Sequence, residues 1–121
     1  MPEFQAVIRA SKAAGMLCVP GVVTPTEAFA ALDAGTDALD FSAEMIAPSI
    51  VKAVRAVLPA AARLLSVGGI TPDHMAPYIR SGLSDFGLGS ALYAPQMPAY
   101  EVGARARQFV AAWRALAARA P

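Results

Sequence analysis

Two glycine-bearing segments carry the most legible chemistry in this sequence: Val67-Gly68-Gly69-Ile70-Thr71-Pro72 and Gly87-Leu88-Gly89-Ser90. In each, an apolar strand ends in glycine and runs into a helix start. Glycine lets the backbone turn its N–H groups toward an anion, and a helix N-terminus adds partial positive charge. Gly68, Gly69, Gly89 and Ser90 are therefore the candidate phosphate-binding residues. A Gly-Gly pair alone marks a tight turn just as readily. Two such loops, about twenty residues apart on consecutive strand–helix units, match the phosphate site that a (β/α)8 barrel builds after its seventh and eighth strands.

The other reactive side chains are few. Asp40 and Glu44 could form a carboxylate pair for acid–base work. Four residues apart, they share a face only on a helix, and a solvated loop charge or a helix cap suits Glu44 as well. Lys12 and Lys52 are the only lysines. Both fall within helices rather than at strand ends, where a Schiff-base amine would need burial. His74, the single histidine, follows Thr71-Pro72-Asp73 at a helix start and could assist an anion. Cys18, the single cysteine, reads as a small core residue in an apolar strand and fits a reducing cytoplasm. No metal-ligand spacing occurs, and no cofactor is expected.

The elements that must position these residues alternate. Apolar periodicity predicts a helix over 2–14, ended by Gly15, and a strand over 17–19. Thr24-Pro25-Thr26-Glu27 has the form of a capping box, opening a helix that runs to about 34. A strand over 38–41, a helix over 48–58 and a strand over 64–67 follow. Thr71-Pro72 repeats the cap, and Pro77 should kink or shorten the next helix. A strand over 85–88, a short turn from Gly89 and a final helix over 100–118 complete the chain. The expectation is an α/β single domain spanning 1–121, with four parallel strands and five helices.

Several stretches carry a family resemblance: Met16-Leu17-Cys18-Val19-Pro20-Gly21, Thr24-Pro25-Thr26-Glu27-Ala28-Phe29, Val54-Arg55-Ala56-Val57-Leu58-Pro59, the segment around Gly68-Gly69, and Gly87-Leu88-Gly89-Ser90-Ala91-Leu92-Tyr93. Together they resemble the KDPG/KHG family of class I aldolases. The resemblance runs over nearly the whole chain and implies the C-terminal half of that family's TIM barrel, with phosphate held at Gly68, Gly69, Gly89 and Ser90. It also implies a Schiff-base lysine at the end of the barrel's sixth strand, but this sequence reads Leu39-Asp40-Phe41-Ser42-Ala43-Glu44 there. Aligned from the left, Asp40 takes the lysine's place. Aligned from the right, Phe41, Ala43 and Glu44 match, Ser42 replaces a proline, and one residue is missing. The family's acid–base glutamate belongs to the half without a counterpart here. No catalytic residue carries over.

Composition bounds the partners. The 121 residues are 56% hydrophobic and 16% charged, with a net charge of +1. The small charge argues against a nucleic-acid surface, and Arg105, Arg107, Arg114 and Arg119 read as a solvated helix face. Charges and prolines interrupt every apolar run, so no membrane span is expected. Half a barrel leaves two strand edges and one sheet face open. A twofold dimer could close them, as could a rearranged sheet. Leu17, Val19, Leu39, Phe41, Leu65, Val67, Phe86 and Leu88 are expected to face inward in alternating subsets. The expected function is that of a half-barrel fragment, natural or engineered, which self-associates, retains the phosphate loops and lacks aldolase activity. The alternative is an active lyase releasing pyruvate and glyceraldehyde 3-phosphate from a phosphorylated 2-keto-3-deoxy sugar acid.

Overall fold

A computed structural model describes residues 2–119. The elements follow as α1 (Pro2–Ala13), α2 (Pro25–Asp33), β1 (Leu39–Asp40), α3 (Pro48–Val57), β2 (Leu64–Val67), α4 (Met75–Ser81), β3 (Asp85–Gly87) and α5 (Ala99–Ala117). A 3-10 turn, Pro72–His74, leads into α4. The sheet is parallel in the order β1-β2-β3. Each crossover contains a helix, as parallel strands require.

The expected four strands become three. Residues 17–19 form no regular strand, and their segment touches the sheet through one bridge, Gly21 to Asp40. Asp40 N–H donates to the Pro20 carbonyl at 3.0 Å and Val22 N–H to the Asp40 carbonyl at 2.9 Å. The next rung would need an N–H from residue 20 to the Ala38 carbonyl, and proline has none. The Thr36 hydroxyl instead lies 3.0 Å from the Ala38 carbonyl and 2.8 Å from that of Cys18.

Local signals fix the helix starts. The Thr24 hydroxyl accepts from Glu27 N–H at 3.2 Å, and the Glu27 carboxylate accepts from Thr24 N–H at 3.1 Å, closing the capping box. Thr71 makes no such side-chain bond. Its carbonyl accepts from His74 N–H at 3.0 Å, and the short turn replaces a capped helix start. Pro77 then falls at the third position of α4, where a missing N–H leaves no intrahelical bond unmade.

The sheet has two unlike faces. Side chains alternate along a strand, and directly paired residues share a face. Leu39, Leu64 and Ser66 are buried. Phe41 is buried with them, and Phe86 stacks edge-to-face on Trp113 of α5 with ring centroids 6.2 Å apart. Leu88 packs on the same core as Ile8, Val51, Val54 and Phe109. Leu65 and Val67 point the other way, with Val67 38% exposed. Leu17 and Val19 are 83% and 44% exposed. The eight residues expected to face inward thus divide: Leu39, Phe41, Phe86 and Leu88 belong to the chain's own core, Leu17, Val19 and Val67 are exposed, and Leu65 is half-buried on the face away from that core. Arg63 and Asp85 form an ion pair at 2.5 Å where β2 and β3 begin.

Ser66 is fully buried on the covered face, and its hydroxyl has no hydrogen-bond partner among the described residues. An unpaired buried hydroxyl costs roughly 1–3 kcal/mol. Ser66→Ala should therefore be neutral or stabilise the fold by up to about 1 kcal/mol in urea denaturation. Leu64→Ala, one turn of the pleat away, should cost about 2–5 kcal/mol. Equal losses for both variants would contradict this face assignment.

Candidate functional site

β2 ends at Val67, and the chain then enters the left-handed region twice, with φ of +88° at Gly68 and +68° at Gly69. A residue with a β-carbon would pay about 1–2 kcal/mol at each. A second constraint acts at Gly69, where a β-carbon would come within 2.6 Å of Glu44 Cγ. The loop after β1 therefore packs directly on the glycine pair. β3 ends at Gly87, where a β-carbon would meet Val67 Cγ2 at 2.5 Å. This close approach brings the loop after β3 alongside the loop after β2. Gly89 faces open space.

These loops enclose a small pocket lined by Gly68, Gly69, Ile70, Gly87, Leu88, Gly89, Ser90 and Ala91. The structure thus brings together all four residues the sequence singled out. The enclosed volume is about 10 Å³, room for one water. Beyond the strand ladder, the peptide N–H groups of Gly69, Gly89 and Ser90 donate no hydrogen bond among the described residues. The turn after Gly89 is closed by Leu92 N–H and Tyr93 N–H, which donate to the Gly89 carbonyl at 2.9 and 3.0 Å.

Two supporting residues escaped the sequence reading. The Arg105 guanidinium donates to the Ala91 carbonyl at 3.1 Å and to the Glu101 carboxylate at 3.2 Å, tying α5 to the pocket rim. It is not merely a solvated helix charge. The Tyr78 hydroxyl donates to the Ile46 carbonyl at 2.8 Å and anchors the loop after β1. Its partner carbonyl lies 32 residues away in sequence, beyond the reach of any local pattern.

The remaining candidates are dispersed. The Asp40 carboxylate accepts from Val67 N–H at 3.0 Å. Glu44 is exposed against the glycine pair, so the two carboxylates have different partners. Lys12 pairs with both oxygens of Asp37, at 2.9 and 2.8 Å. With the Cys18 N–H, it holds Asp37 below the usual carboxylate range. Asp37 precedes β1, so this lysine lies at the amino ends of the strands, away from the glycine loops. Lys52 is exposed on α3, and His74 is exposed at the end of the 3-10 turn. Cys18 is half-buried and packs on the core. Among the described residues, no three His, Cys, Asp or Glu side chains cluster as metal ligands.

Partial burial raises the Asp40 pKa from its usual 3.8, and the Val67 N–H bond opposes the shift only in part. The folded state therefore favours protonated Asp40. Its contribution to stability is complete below about pH 3.8 and is lost as pH rises through the raised value. Asp40→Asn keeps an acceptor for Val67 N–H and removes the charge. It should raise the Tm at pH 7 and flatten this part of the pH–stability profile, as thermal denaturation at several pH values would show. A lower Tm at neutral pH would contradict the assignment.

No family model matches the chain. Over 112 residues it is 46% identical to the probable 2-dehydro-3-deoxy-6-phosphogalactonate aldolase of Rhizobium meliloti (strain 1021), covering 92% of this chain and 53% of that protein. The fold matches a solved structure described as native KDPGal with a TM-score of 0.88 and 39% identity, covering 93% of this chain and 55% of that one. It matches a cube-shaped, highly porous cage, designed by fusing symmetric oligomeric domains, with a TM-score of 0.90 and 38% identity, covering 95% of this chain and 43% of that one. The chain spans about half the length of the curated relative it matches. Over nearly its whole length, it is similar to about half of a 2-dehydro-3-deoxy-6-phosphogalactonate aldolase, and its parallel strands and helices form an α/β half-barrel.

Proposed function

We propose that this chain is a self-associating half-barrel, a single domain over 1–121, that binds phosphate or a small phosphorylated molecule at Gly68, Gly69, Gly89 and Ser90 and lacks Schiff-base aldolase activity. The two glycine loops that line one small pocket at the carboxyl ends of β2 and β3 carry the binding part. The phosphate would accept their N–H bonds, and the Ser90 hydroxyl could add another. The uncovered face bearing Leu17, Val19, Leu65 and Val67 supports self-association, as does similarity to a cage built from oligomeric domains. No helix of the described residues is long and apolar enough to cross a membrane. A lone, unpaired Cys18 suits a cytoplasmic setting.

The absence of aldolase chemistry follows from what a Schiff base requires. A neutral amine must attack the 2-keto carbon and lose water to form an iminium, which then accepts the electron pair of the breaking carbon–carbon bond. Asp40 offers a carboxylate at the relevant strand end and cannot form that bond. Lys12 is engaged with Asp37 at the other end of the sheet, and Lys52 stands in solvent on α3. A second reading, an active lyase on 2-keto-3-deoxy-6-phosphogalactonate, is favoured by the 46% identity to a probable aldolase of that name.

Borohydride reduction in the presence of pyruvate separates the two readings. No covalent mass increase is expected, and no pyruvate release from 2-keto-3-deoxy-6-phosphogalactonate in a lactate dehydrogenase-coupled assay. A trapped adduct that disappears in Lys12→Ala or Lys52→Ala would establish the lyase and identify its lysine. Inorganic phosphate should shift the backbone amide resonances of Gly68, Gly69, Gly89 and Ser90, and unmoved resonances would refute the phosphate site.

A further inference from the structure

The open face of the sheet carries a charge that nothing on it neutralises. Asp40 pairs with Leu65 across β1 and β2, and Leu65 pairs with Asp85 across β2 and β3. Directly paired residues share a face, so the three form one row over the sheet. Arg63, two residues before Leu65, lies on the same face and is held by Asp85. Asp40 is half-buried and accepts from Val67 N–H, but among the described residues it forms no ion pair. The segment 16–22, which runs beside β1, contains no charged residue. Glu44, in the loop after β1, adds only a further negative charge at the strand ends. Two carboxylates and one guanidinium thus leave the face of each copy with one negative charge in excess.

We propose that self-association through this face is favoured by acid, with protonation of Asp40 as its switch. The proposal rests on the self-association reading given above. A twofold contact sets a surface patch against the same patch of the second copy. The excess charge of one copy therefore meets the same charge on the other, among apolar side chains such as Leu17, Val19 and Val67. Removing a carboxylate from water without a cation is costly, and protonation removes most of that cost. Arg63 cannot supply the missing cation, because Asp85 holds it and the second copy brings the same pair. Within one chain, partial burial already favours the protonated form of Asp40, and covering the face extends that burial. The associated form therefore holds more protons than two separate chains. Affinity rises as pH falls toward the raised Asp40 pKa and weakens as pH climbs above it.

Sedimentation equilibrium of the full chain at about pH 5 and about pH 8 tests this, because His74 is the other side chain that ordinarily titrates in that window. The unaltered protein should associate roughly tenfold or more tightly at the lower pH. Asp40→Asn should associate nearly equally at both, with an affinity close to that of the unaltered protein in acid. His74→Gln should keep the full pH dependence. Far-UV circular dichroism of the same samples reports whether each form is folded. If the unaltered protein associates equally at both pH values, or if Asp40→Asn retains the pH dependence, this inference fails and self-association stands. If every form remains a folded monomer at both pH values, self-association and the inference fail together.

Discussion

Helices cover one face of this parallel sheet and leave the other bare, and most of the remaining structure follows from that asymmetry. Strand side chains alternate, so a sheet covered on one side must divide each strand's residues into a packed set and an open set. Leu39, Leu64, Ser66 and Phe86 belong to the packed set, joined by Phe41 from beyond β1. Leu65 and Val67 belong to the open set, with Leu17 and Val19 beside them. A closed barrel would bury the open set in its interior. Here the same residues form an apolar surface, interrupted by Asp40 and by the Arg63–Asp85 ion pair.

The candidate site depends on the same geometry at the carboxyl ends of the strands. β2 is the central strand, so the loop leaving it is flanked by the loops leaving β1 and β3. The two left-handed glycines after Val67 turn the chain sharply enough for Glu44 to pack from one side and for Gly89 and Ser90 to converge from the other. The open face and the site meet at Asp40, which lies partly on that face and holds the end of β2 through Val67 N–H. A carboxylate at this place ties the end of β2, and so the start of the glycine loop, to β1.

Features encoded locally were legible in the sequence. The Thr24–Glu27 box, the glycine stops and the helix at each crossover depend on residues within a few positions of one another. The glycine loops were legible for the same reason, and their convergence followed from the alternation of strands and helices. The strand expected over 17–19 failed because one proline removes the donor of the decisive rung, although apolar periodicity favours a strand there. Thr71 resembled Thr24 but had no acid three residues later to complete the box, and a 3-10 turn formed instead. Which strand residues face the helices, and the contact of Glu44 with Gly69, depend on elements far apart in the chain. Pattern alone left both strand faces open as choices.

Burial of the uncovered sheet face by a second copy, as proposed, can be read from sedimentation equilibrium of the dilute protein, alone and as Val67→Asp. The account predicts twice the mass of one chain for the unaltered protein and a shift toward one chain's mass for the variant, since a carboxylate at Val67 would enter the interface without disturbing the chain's own core. A well-folded monomer for the unaltered protein, or a dimer that survives Val67→Asp unchanged, would contradict it.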